Sequence, residues 1–281
     1  MAVAISNRSR RAMGAALLQA FLVVSSVVII FPFFWMISTS LKSNLEIFRP
    51  SPTLFPERLF TENYAKLLAD SSFLRFYWNS IVVSVVGTAL STFSSMIAGF
   101  VFAKFRFPAK NFLFFLVLAT LMVPFQCYMI PLYSMSVGLK LIDTYTGLIF
   151  PIVISSFGIF FIRQNMQSIP DSLIEAAKID GASIWRIFFT IMMPLSMSSG
   201  VALAIFQFMT AWGDFIWPLI VTNSQKMFVL ELGLTRFRGE FVDDYGLMMT
   251  GSTLGIVPVL IVFLFFRRYI IEGVTLSGMK A

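Results

Sequence analysis

The chain interrupts its apolar pattern most clearly at residues 170–194, PDSLIEAAKIDGASIWRIFFTIMMP, the longest polar-bearing stretch in its C-terminal half. Apolar residues at helical spacing predict a short helix after Pro170, a residue suited to a first helical turn. Gly181 is expected to end that helix because glycine readily adopts a left-handed conformation. Ser183 is placed to cap a second helix, predicted from Ile184 to Met193. The stretch therefore predicts two short helices joined at a glycine.

This pair of predicted helices has two interpretations. It is an ordinary amphipathic connector between membrane spans, or it is a docking element for a soluble partner. The side of the membrane that the stretch faces decides between them, and the distribution of charge along the rest of the chain indicates that side.

The composition places the chain among membrane proteins. Its 281 residues are 58% hydrophobic, include 33 Phe and have a mean hydropathy of +0.84, which is too apolar for a soluble domain of this size. Several apolar runs reach the length of about 20 residues that an α-helix needs to cross a bilayer. The sequence therefore predicts an all-α integral membrane protein with several spans.

Six apolar runs are predicted to be transmembrane helices. They cover residues 15–37, 80–103, 112–131, 145–162, 199–221 and 247–266. The first run is too long for a signal peptide and lacks a convincing small-residue cleavage site, so we expect it to remain in the protein. The predicted organisation is an N-terminal part with the first span and an extracytoplasmic segment, 1–76; a core, 77–268, containing the loop 164–198; and a tail, 269–281.

Lysine and arginine are divided unevenly between the two faces that six spans create. The face that holds both termini carries twelve cations and four acids, whereas the other carries nine cations and ten acids. The positive-inside rule makes the basic face cytoplasmic. Both termini and residues 170–194 are therefore predicted to lie in the cytoplasm. A net positive charge beside anionic lipid headgroups accounts for the basic composition without nucleic acid.

Several kinds of chemistry are disfavoured by what the sequence lacks. It has no histidine, the commonest general base and metal ligand, so a metalloenzyme or hydrolase is not expected. Its single cysteine, Cys127, excludes an internal disulfide. It also has no G-x-x-x-x-G-K-S/T phosphate loop, so an ATPase that acts with it must be another chain.

The polar stretch contains a second pattern. Glu175-Ala176-Ala177 is followed after three residues by Gly181, and after nine more by Ile191-Met192-Met193-Pro194. This arrangement resembles the EAA signature of ABC-importer permease subunits, with Met193 in place of the usual leucine. Further segments resemble the carbohydrate-importer branch, typified by the maltose-type second permease: Glu62-Asn63-Tyr64, Asn79-Ser80, Trp212 to Leu219, and Glu272-Gly273-Val274-Thr275.

The resemblance implies the fold of a type I ABC-importer transmembrane domain and a subunit that is not itself an enzyme. In the family, the two EAA helices form a coupling helix that docks into an ATPase subunit. The docking residues implied here are Glu175, Ala176, Ala177, Asp180, Gly181 and Ala182. The end of the chain is similar to a family tail that reaches between the ATPase subunits, although its residues alone equally predict a frayed terminus. The contacts implied for this tail are Thr275, Ser277 and Lys280.

The same resemblance implies the partners and the location. The partners are a homologous companion permease, two ATPase subunits that bind ATP and Mg, and an extracytoplasmic solute-binding protein, all at the cytoplasmic (inner) membrane of a prokaryote. No cofactor is expected in this chain itself. The loop 223–247 corresponds to a family loop that contacts the solute-binding protein, but its residues alone favour a solvated linker.

Polar residues at membrane depth are candidates for a translocation pathway, because an unsatisfied polar group in lipid is costly. The candidates are Gln126, Trp212 and Asp214. Asp214 either lines a substrate cavity or reaches interfacial water within an aromatic belt, and Gln126 has the same two interpretations. A stripe of small residues between Gly87 and Gly99 is more typical of helix packing than of chemistry.

Taken together, these features predict a permease subunit of an ATP-driven importer for a sugar or oligosaccharide. Glycerol phosphate and alginate-like oligomers remain alternative cargoes. An ion-coupled secondary carrier is a rival from another class, but it needs ionisable groups deep in several spans, and Asp214 is the only acid within a predicted span. A membrane anchor with no transport role would leave the EAA pattern unexplained.

Overall fold

The computed structural model describes residues 2–237 and 244–278, and side chains over residues 13–237 and 244–269. Within these ranges every regular element is helical. The α-helices are α1 (Ala2–Ser40), α2 (Asn44–Ile47), α3 (Glu62–Ala69), α4 (Ser71–Lys104), α5 (Lys110–Thr120), α6 (Phe125–Gly138), α7 (Tyr145–Ile149), α8 (Ser156–Gln167), α9 (Ser172–Ile179), α10 (Ile184–Ile187), α11 (Met193–Leu195), α12 (Met197–Trp212), α13 (Ile216–Val221), α14 (Leu230–Leu234) and α15 (Tyr245–Gly278). Short 3₁₀ helices cover Phe150–Ile152, Gln225–Met227 and Thr235–Phe237, and a π-helix covers Phe188–Met192.

The chain divides into two compact units. The first unit combines residues 1–69 with 237–254, and the second combines 70–236 with 255–281. In the first unit, the buried Asn63 amide donates to the carbonyl oxygens of Ser40 and Lys42 at 3.1 and 2.9 Å. The Asn44 side chain donates to Asp244 and accepts from the amide of Gly246. These bonds satisfy the backbone where α1 ends and join α2 and α3 to the start of α15.

The second unit is built around α4, which packs along α8 and α12. The small residues of α4 lie at these contacts, as the stripe predicted. A Cβ atom added at Gly99 would lie 2.6 Å from Ile162 Cγ2 and 3.0 Å from the backbone nitrogen of Arg163. A Cβ atom added at Gly158 of α8 would lie even closer to Ser95 Oγ of α4. The two helices therefore approach each other at a distance that only glycine permits.

Replacing Gly99 with alanine is expected to destabilise the second unit by about 1–3 kcal/mol, the usual cost of forcing an extra methyl group into a packed contact. The measurement is the thermal unfolding midpoint of the purified protein in detergent. Gly14→Ala is the matched control, because no atom lies within 4 Å of its added Cβ. Equal midpoints for the two variants would contradict the close packing of α4 against α8.

Three helical segments are long and apolar enough to span a membrane without interruption: Met13–Ser40, Ser71–Lys104 and Tyr245–Tyr269. Three further candidates are helix pairs with a sharp bend, so the described chain has up to six spans by length and composition. The bends are 99° between α5 and α6, 46° between Tyr145–Ile152 and α8, and 76° between Ile184–Leu195 and α12.

The predictions of continuous third, fourth and fifth spans are therefore wrong in detail. The run 112–131 breaks between Thr120 and Phe125, because Pro124 has no N–H and disfavours a helical conformation for the residue before it. The run 145–162 breaks before Ser156, where the Ser155 hydroxyl accepts from the Gly158 amide and starts a new helix. The run 199–221 ends its first helix at Trp212 and resumes at Ile216.

Other predicted helix ends also shift. The second span starts at Ser71 rather than residue 80, because the Asp70 carboxylate accepts from the amide of Ser72 at 2.8 Å. The helix predicted from Ile184 to Met193 is α-helical only to Ile187. The π-helix then begins, and the amide of Met193 bonds to Phe188 O five residues back. The next residue, Pro194, has no N–H for the ordinary helical bond, and this favours the local widening.

Candidate functional site

The turn at Gly181 forms as the sequence predicts. Gly181 has a φ of +76°, and its amide donates to Lys178 O at 3.0 Å. The amide of Ala182 donates to Ala177 O at 2.9 Å, which closes the end of α9. The Ser183 hydroxyl then accepts from the amide of Arg186 and starts α10. Residues 170–194 therefore form a hydrogen-bonded helix–turn–helix element, here called the EAA loop.

The base of the EAA loop is anchored in the core of the second unit. Ile174, Ile187 and Phe188 are buried in a cluster that includes Phe100 of α4 and Met166 of α8. The cluster also includes Leu203 of α12, and Ala177 and Ala182 of the loop pack against it. A force applied to the loop therefore reaches three long helices directly through packed side chains.

A polar contact supplements this apolar anchor. Lys104 Nζ, at the end of α4, donates to Ile169 O at 2.5 Å and to the carboxylate of Asp171 at 2.6 Å. The hydrogen bond and charge of Lys104 lower the pKa of the Asp171 carboxyl below its ordinary value, and nearby Arg106 and Lys110 act in the same direction. The start of the EAA loop, through Asp171 and the preceding Ile169, is therefore bonded to the end of α4.

The tip of the EAA loop projects away from this base. Glu175, Ala176, Asp180 and Gly181 are exposed, while Ala177 and Ala182 are half-buried. Ile179 is the most exposed apolar residue of the loop, with 86% of its surface accessible. Small and apolar groups at an exposed tip are suited to close approach by another protein surface.

Ile179 was not selected from the sequence, although a signal was present. It lies five residues after the buried Ile174, which places it on the opposite side of a helix with 3.6 residues per turn. An isoleucine out of phase with the buried stripe is a candidate contact residue, and the structure puts it beside the glycine turn.

A second candidate site is a cavity of about 830 Å³ in the second unit. Its lining draws on the three places where predicted spans break. These places are the α5–α6 junction, the residues before α8, and the α12–α13 junction. Irregular backbone at membrane depth is tolerated where it is buried in protein or lines a water-filled cavity. The cavity therefore accounts for the irregular backbone at the three helix breaks, because that backbone lines it.

The lining combines aliphatic side chains with uncharged polar groups, aromatic rings and one carboxylate. The polar and ionisable members are Thr120, Gln126, Tyr128, Ser155, Ser156, Gln207, Thr210 and Asp214, and the aromatic members are Phe125, Tyr128, Phe157 and Trp217. Among the described residues that line the cavity, none is a lysine or an arginine. The cavity can therefore offer hydrogen bonds and ring faces to a ligand, but it offers no positive charge.

Two hydrogen bonds organise the polar wall. Gln207 Nε2 of α12 donates to Ser155 Oγ at 2.6 Å, which joins α12 to the break before α8. Thr120 Oγ1 and Ser156 Oγ lie 2.7 Å apart and join the end of α5 to the same break. The carbonyl of Val153, freed where the fourth span breaks, accepts from Ser94 Oγ at 2.6 Å. The broken backbone is thus stabilised by side chains from neighbouring helices.

Asp214 lies at the start of α13 and lines the cavity. Its carboxylate accepts from the amide of Trp217 at 3.4 Å and also faces the amides of Phe215 and Ile216. A carboxylate at a helix N-terminus is stabilised by these unpaired donors. Asp214 therefore both starts α13 and contributes the negative charge of the cavity wall.

The three pathway candidates separate in the structure. Gln126 and Asp214 line the cavity, but Trp212 does not. Trp212 is only 4% exposed, its ring stacks on Phe208 at 5.8 Å, and its Nε1 donates to Gly255 O at 3.0 Å. Trp212 therefore joins α12 to α15. Trp217, five residues later, is the tryptophan that borders the cavity.

Two lining residues were missed from the sequence. Gln207, Thr210 and Asp214 are spaced at i, i+3 and i+7, which places polar groups on one side of the fifth span. Reading that spacing would have identified Gln207 and Thr210 together with Asp214. Gln207 and Thr210 were missed because the predicted fifth span is strongly apolar as a whole.

Motif residues outside these sites hold the loop 223–236 in place. Asn79 Nδ2 donates to the carbonyls of Lys226 and Phe228 at 2.9 and 2.8 Å, and its Oδ1 accepts from Tyr145. The Ser80 hydroxyl accepts from the amide of Leu230 at 2.7 Å. The Asn79-Ser80 segment therefore has a structural role, because its side chains bond to the backbone of the loop 223–236.

Several residues of the loop 223–247 and of the predicted tail lie outside the described part of the chain. Lys226 and Arg236 of the loop 223–247 are exposed, whereas Arg238 and Asp243 lie outside the described residues. In the predicted tail, α15 continues as helix to Gly278. The side chains of Thr275 and Ser277, and the whole of Lys280, lie outside the described residues.

Comparison with known sequences gives a consistent result. Residues 95–274 match the family described as the binding-protein-dependent transport system inner membrane component. The arabinooligosaccharides transport system permease protein AraQ of Bacillus subtilis is 37% identical over 94% of this chain and 95% of that protein. The lactose transport system permease LacG of Rhizobium radiobacter is 35% identical over 87% and 89%. The sn-glycerol-3-phosphate transport system permease UgpE of Brucella abortus is 31% identical over 90% and 93%.

Comparison with solved structures supports the fold. A chain of a bacterial ABC transporter involved in import of the acidic polysaccharide alginate superposes with a TM-score of 0.83 at 21% identity, over 93% of this chain and 98% of that one. A chain of the inward-facing MetNI methionine ABC transporter gives a TM-score of 0.56 at 18% identity, over 75% and 98%. The fold is therefore that of a type I ABC-importer permease. With the family match and the long relatives, it follows that this chain belongs to the family of binding-protein-dependent transport system inner membrane components, the multi-pass permeases of ABC importers.

Proposed function

We propose that this chain is the permease subunit of an ATP-driven importer for a neutral sugar or oligosaccharide, and that the cavity at the three helix breaks is its part of the pathway. The single observation that carries the neutral cargo is the lining of that cavity. It has uncharged polar groups and ring faces among aliphatic side chains, one carboxylate, and no lysine or arginine among the described residues that line it. Sugars are bound by hydrogen bonds together with contacts to aromatic faces.

The relatives divide on the charge of their cargo. AraQ and LacG are named for arabinooligosaccharides and lactose, which are neutral, whereas UgpE is named for an anionic phosphate ester. The alginate importer that shares the fold takes an acidic polysaccharide. An anionic cargo beside Asp214, without a compensating cation in the lining, carries an electrostatic penalty in a site of low dielectric. The cavity therefore favours the cargo class of AraQ and LacG.

The EAA loop supplies the proposed connection to ATP hydrolysis. Its exposed tip, with Glu175, Ala176, Asp180 and Gly181, is the proposed docking surface for a separate ATPase subunit that binds ATP and Mg. Half-buried Ala177 and Ala182 support that tip. The buried base of the loop then carries the movement of the ATPase into α4, α8 and α12 as a rigid-body displacement.

The remaining parts of the proposal follow from the family and the charge distribution. A companion permease completes the pathway, and a solute-binding protein delivers the cargo from outside. Both termini and the EAA loop lie in the cytoplasm, and the complex lies in the inner membrane of a prokaryote. The basic face carries twelve cations against four acids, which supports this orientation.

The test is uptake by the complete transporter in proteoliposomes with saturating solute-binding protein. The cargo panel contains a neutral arabino-oligosaccharide, lactose, sn-glycerol 3-phosphate and an oligouronate. We expect ATP-dependent uptake of a neutral saccharide and none of either anion. Uptake of an anion alone would overturn the neutral cargo while leaving the importer function intact, and a lack of ATP-dependent uptake for every cargo would count against the proposed function for these cargo classes.

A further inference from the structure

A basic pocket lies at the junction between α4 and α5. It has a volume of about 350 Å³ and is lined by Arg106, Phe107, Ala109, Lys110, Asn111 and Phe112. This pocket is separate from the cavity described above, with which it shares no lining residue. It is also distinct from the exposed tip of the EAA loop. The proposed transport pathway and ATPase docking therefore leave it without a role.

Four cations converge on this junction, but three of them are engaged. Lys104 is paired with Asp171 at 2.6 Å. Arg163 Nε donates to Phe102 O at 3.1 Å, and its guanidinium lies 3.7 Å from the centre of the Phe114 ring. Lys110 Nζ donates to the carbonyls of Phe105 at 2.8 Å and Ala103 at 3.4 Å, at the end of α4.

Arg106 differs from these three cations. It is exposed at the pocket and makes no hydrogen bond or ion pair with any residue in the described ranges. Lys110 bonds to two backbone carbonyls, those of Phe105 and Ala103, so one of the three donors of its ammonium group remains for a ligand. Asp171 is the one acid whose charge acts on Lys110, whereas Arg163, Arg106 and Lys104 all act on it with positive charge. Positive charge therefore exceeds negative charge around the pocket, with Asp171 as the nearby acid among the described residues.

The surroundings of the pocket are those of a membrane boundary. Phe112 and Phe115 on α5 are 61% and 65% exposed, and the helix continues as an apolar surface through Leu116. The cations lie at the polar end of this apolar surface. A ligand that fits both features has an anionic head and an apolar tail.

We propose that this pocket binds the phosphate of an anionic phospholipid, with Arg106 and Lys110 at the phosphate and the acyl chains along Phe112 and Phe115. Basic pockets at the ends of membrane helices bind anionic headgroups through the same combination of charge and apolar contact. Asn111, also in the lining, adds a polar group for a glycerol hydroxyl. The site adjoins the Lys104–Asp171 pair, so the bound lipid supports the end of α4 next to the base of the EAA loop.

The experiment measures lipid binding to the assembled transporter in detergent by native mass spectrometry. The probes are phosphatidylglycerol and phosphatidylcholine with identical acyl chains, and inorganic phosphate as a free anion. We expect phosphatidylglycerol to bind more tightly than phosphatidylcholine. Arg106→Gln should weaken that binding about fivefold, the factor for losing one cation worth about 1 kcal/mol beside an anionic lipid.

Arg267→Gln is the matched control, because Arg267 is an exposed cation on the same predicted face, outside the pocket. It should leave phosphatidylglycerol binding within twofold of wild type, about 0.4 kcal/mol. Equal binding of the two lipids, or equal losses in both variants, would overturn the proposal. Displacement of the lipid by inorganic phosphate would also overturn it, since the site would then be one for small anions. Absence of bound phosphatidylglycerol from the assembled complex would overturn it as well.

Discussion

Gly181→Val is expected to abolish uptake while leaving the subunit inserted in the membrane. Gly181 has a φ of +76°, and no atom lies within 4 Å of an added Cβ, so the obstacle is the backbone conformation rather than lack of space. A β-branched residue in this conformation costs about 1–3 kcal/mol, which the exposed turn can relieve by changing shape. The tip of the EAA loop then no longer presents Glu175 and Ile179 in the arrangement proposed for docking.

Two further variants separate this effect from general damage. Gly181→Asn should retain most uptake, because asparagine tolerates the left-handed conformation far better than a β-branched residue. Gly138→Val is the matched control: its added Cβ also meets no atom within 4 Å, but its backbone is not left-handed. The measurements are uptake and transport-coupled ATP hydrolysis at equal membrane levels. Normal transport by Gly181→Val would count heavily against the docking role.

Thr210→Lys is expected to reduce uptake about tenfold or more, because it places a charged side chain in the cavity. The Thr210 hydroxyl bonds only to its own helix, at Phe206 O, so its loss leaves no partner unsatisfied. The new ammonium group occupies volume and competes with the cargo for Asp214, which lies four residues further along the chain and also lines the cavity. Desolvating that charge as cargo binds costs several kcal/mol, and each 1.4 kcal/mol is a factor of ten.

The controls for this variant are chosen on the same chain. Thr210→Ser should transport normally because it keeps the hydroxyl group. Thr146→Lys introduces the same charge at an exposed threonine of α7 that does not line the cavity. Uptake by proteoliposomes is measured with complexes that contain all subunits and bind ATP normally. Unimpaired uptake by Thr210→Lys would remove the cavity from the pathway.

The local features of the EAA loop were predictable because they depend on neighbouring residues alone. A glycine that ends a helix and a serine that caps the next one follow from backbone sterics and hydrogen bonding within four residues. Gly181 and Ser183 accordingly take these roles in the structure. The role of the loop in ATPase docking depends on another chain and stays a prediction.

The breaks in the spans were not predictable from the apolar runs, because hydropathy reports side-chain polarity and not the continuity of the backbone. Pro124 was visible inside the third run, yet only the structure gives the 99° bend that follows from it. Trp212 and Trp217 look alike in sequence and both are buried, so tertiary packing alone determines that Trp217 borders the cavity while Trp212 bonds to α15. The cavity arises from contacts between three distant segments, which no local pattern contains.

The central claim is that this chain transports its cargo by coupling to ATP hydrolysis in another subunit. The most direct measurement is uptake of a neutral oligosaccharide into proteoliposomes that contain the complete complex, compared with proteoliposomes that contain this chain alone. We predict uptake by the complex that requires hydrolysable ATP, is unaffected by a protonophore and is absent with a non-hydrolysable analogue. Uptake by the chain alone, driven by a proton gradient, would contradict the account.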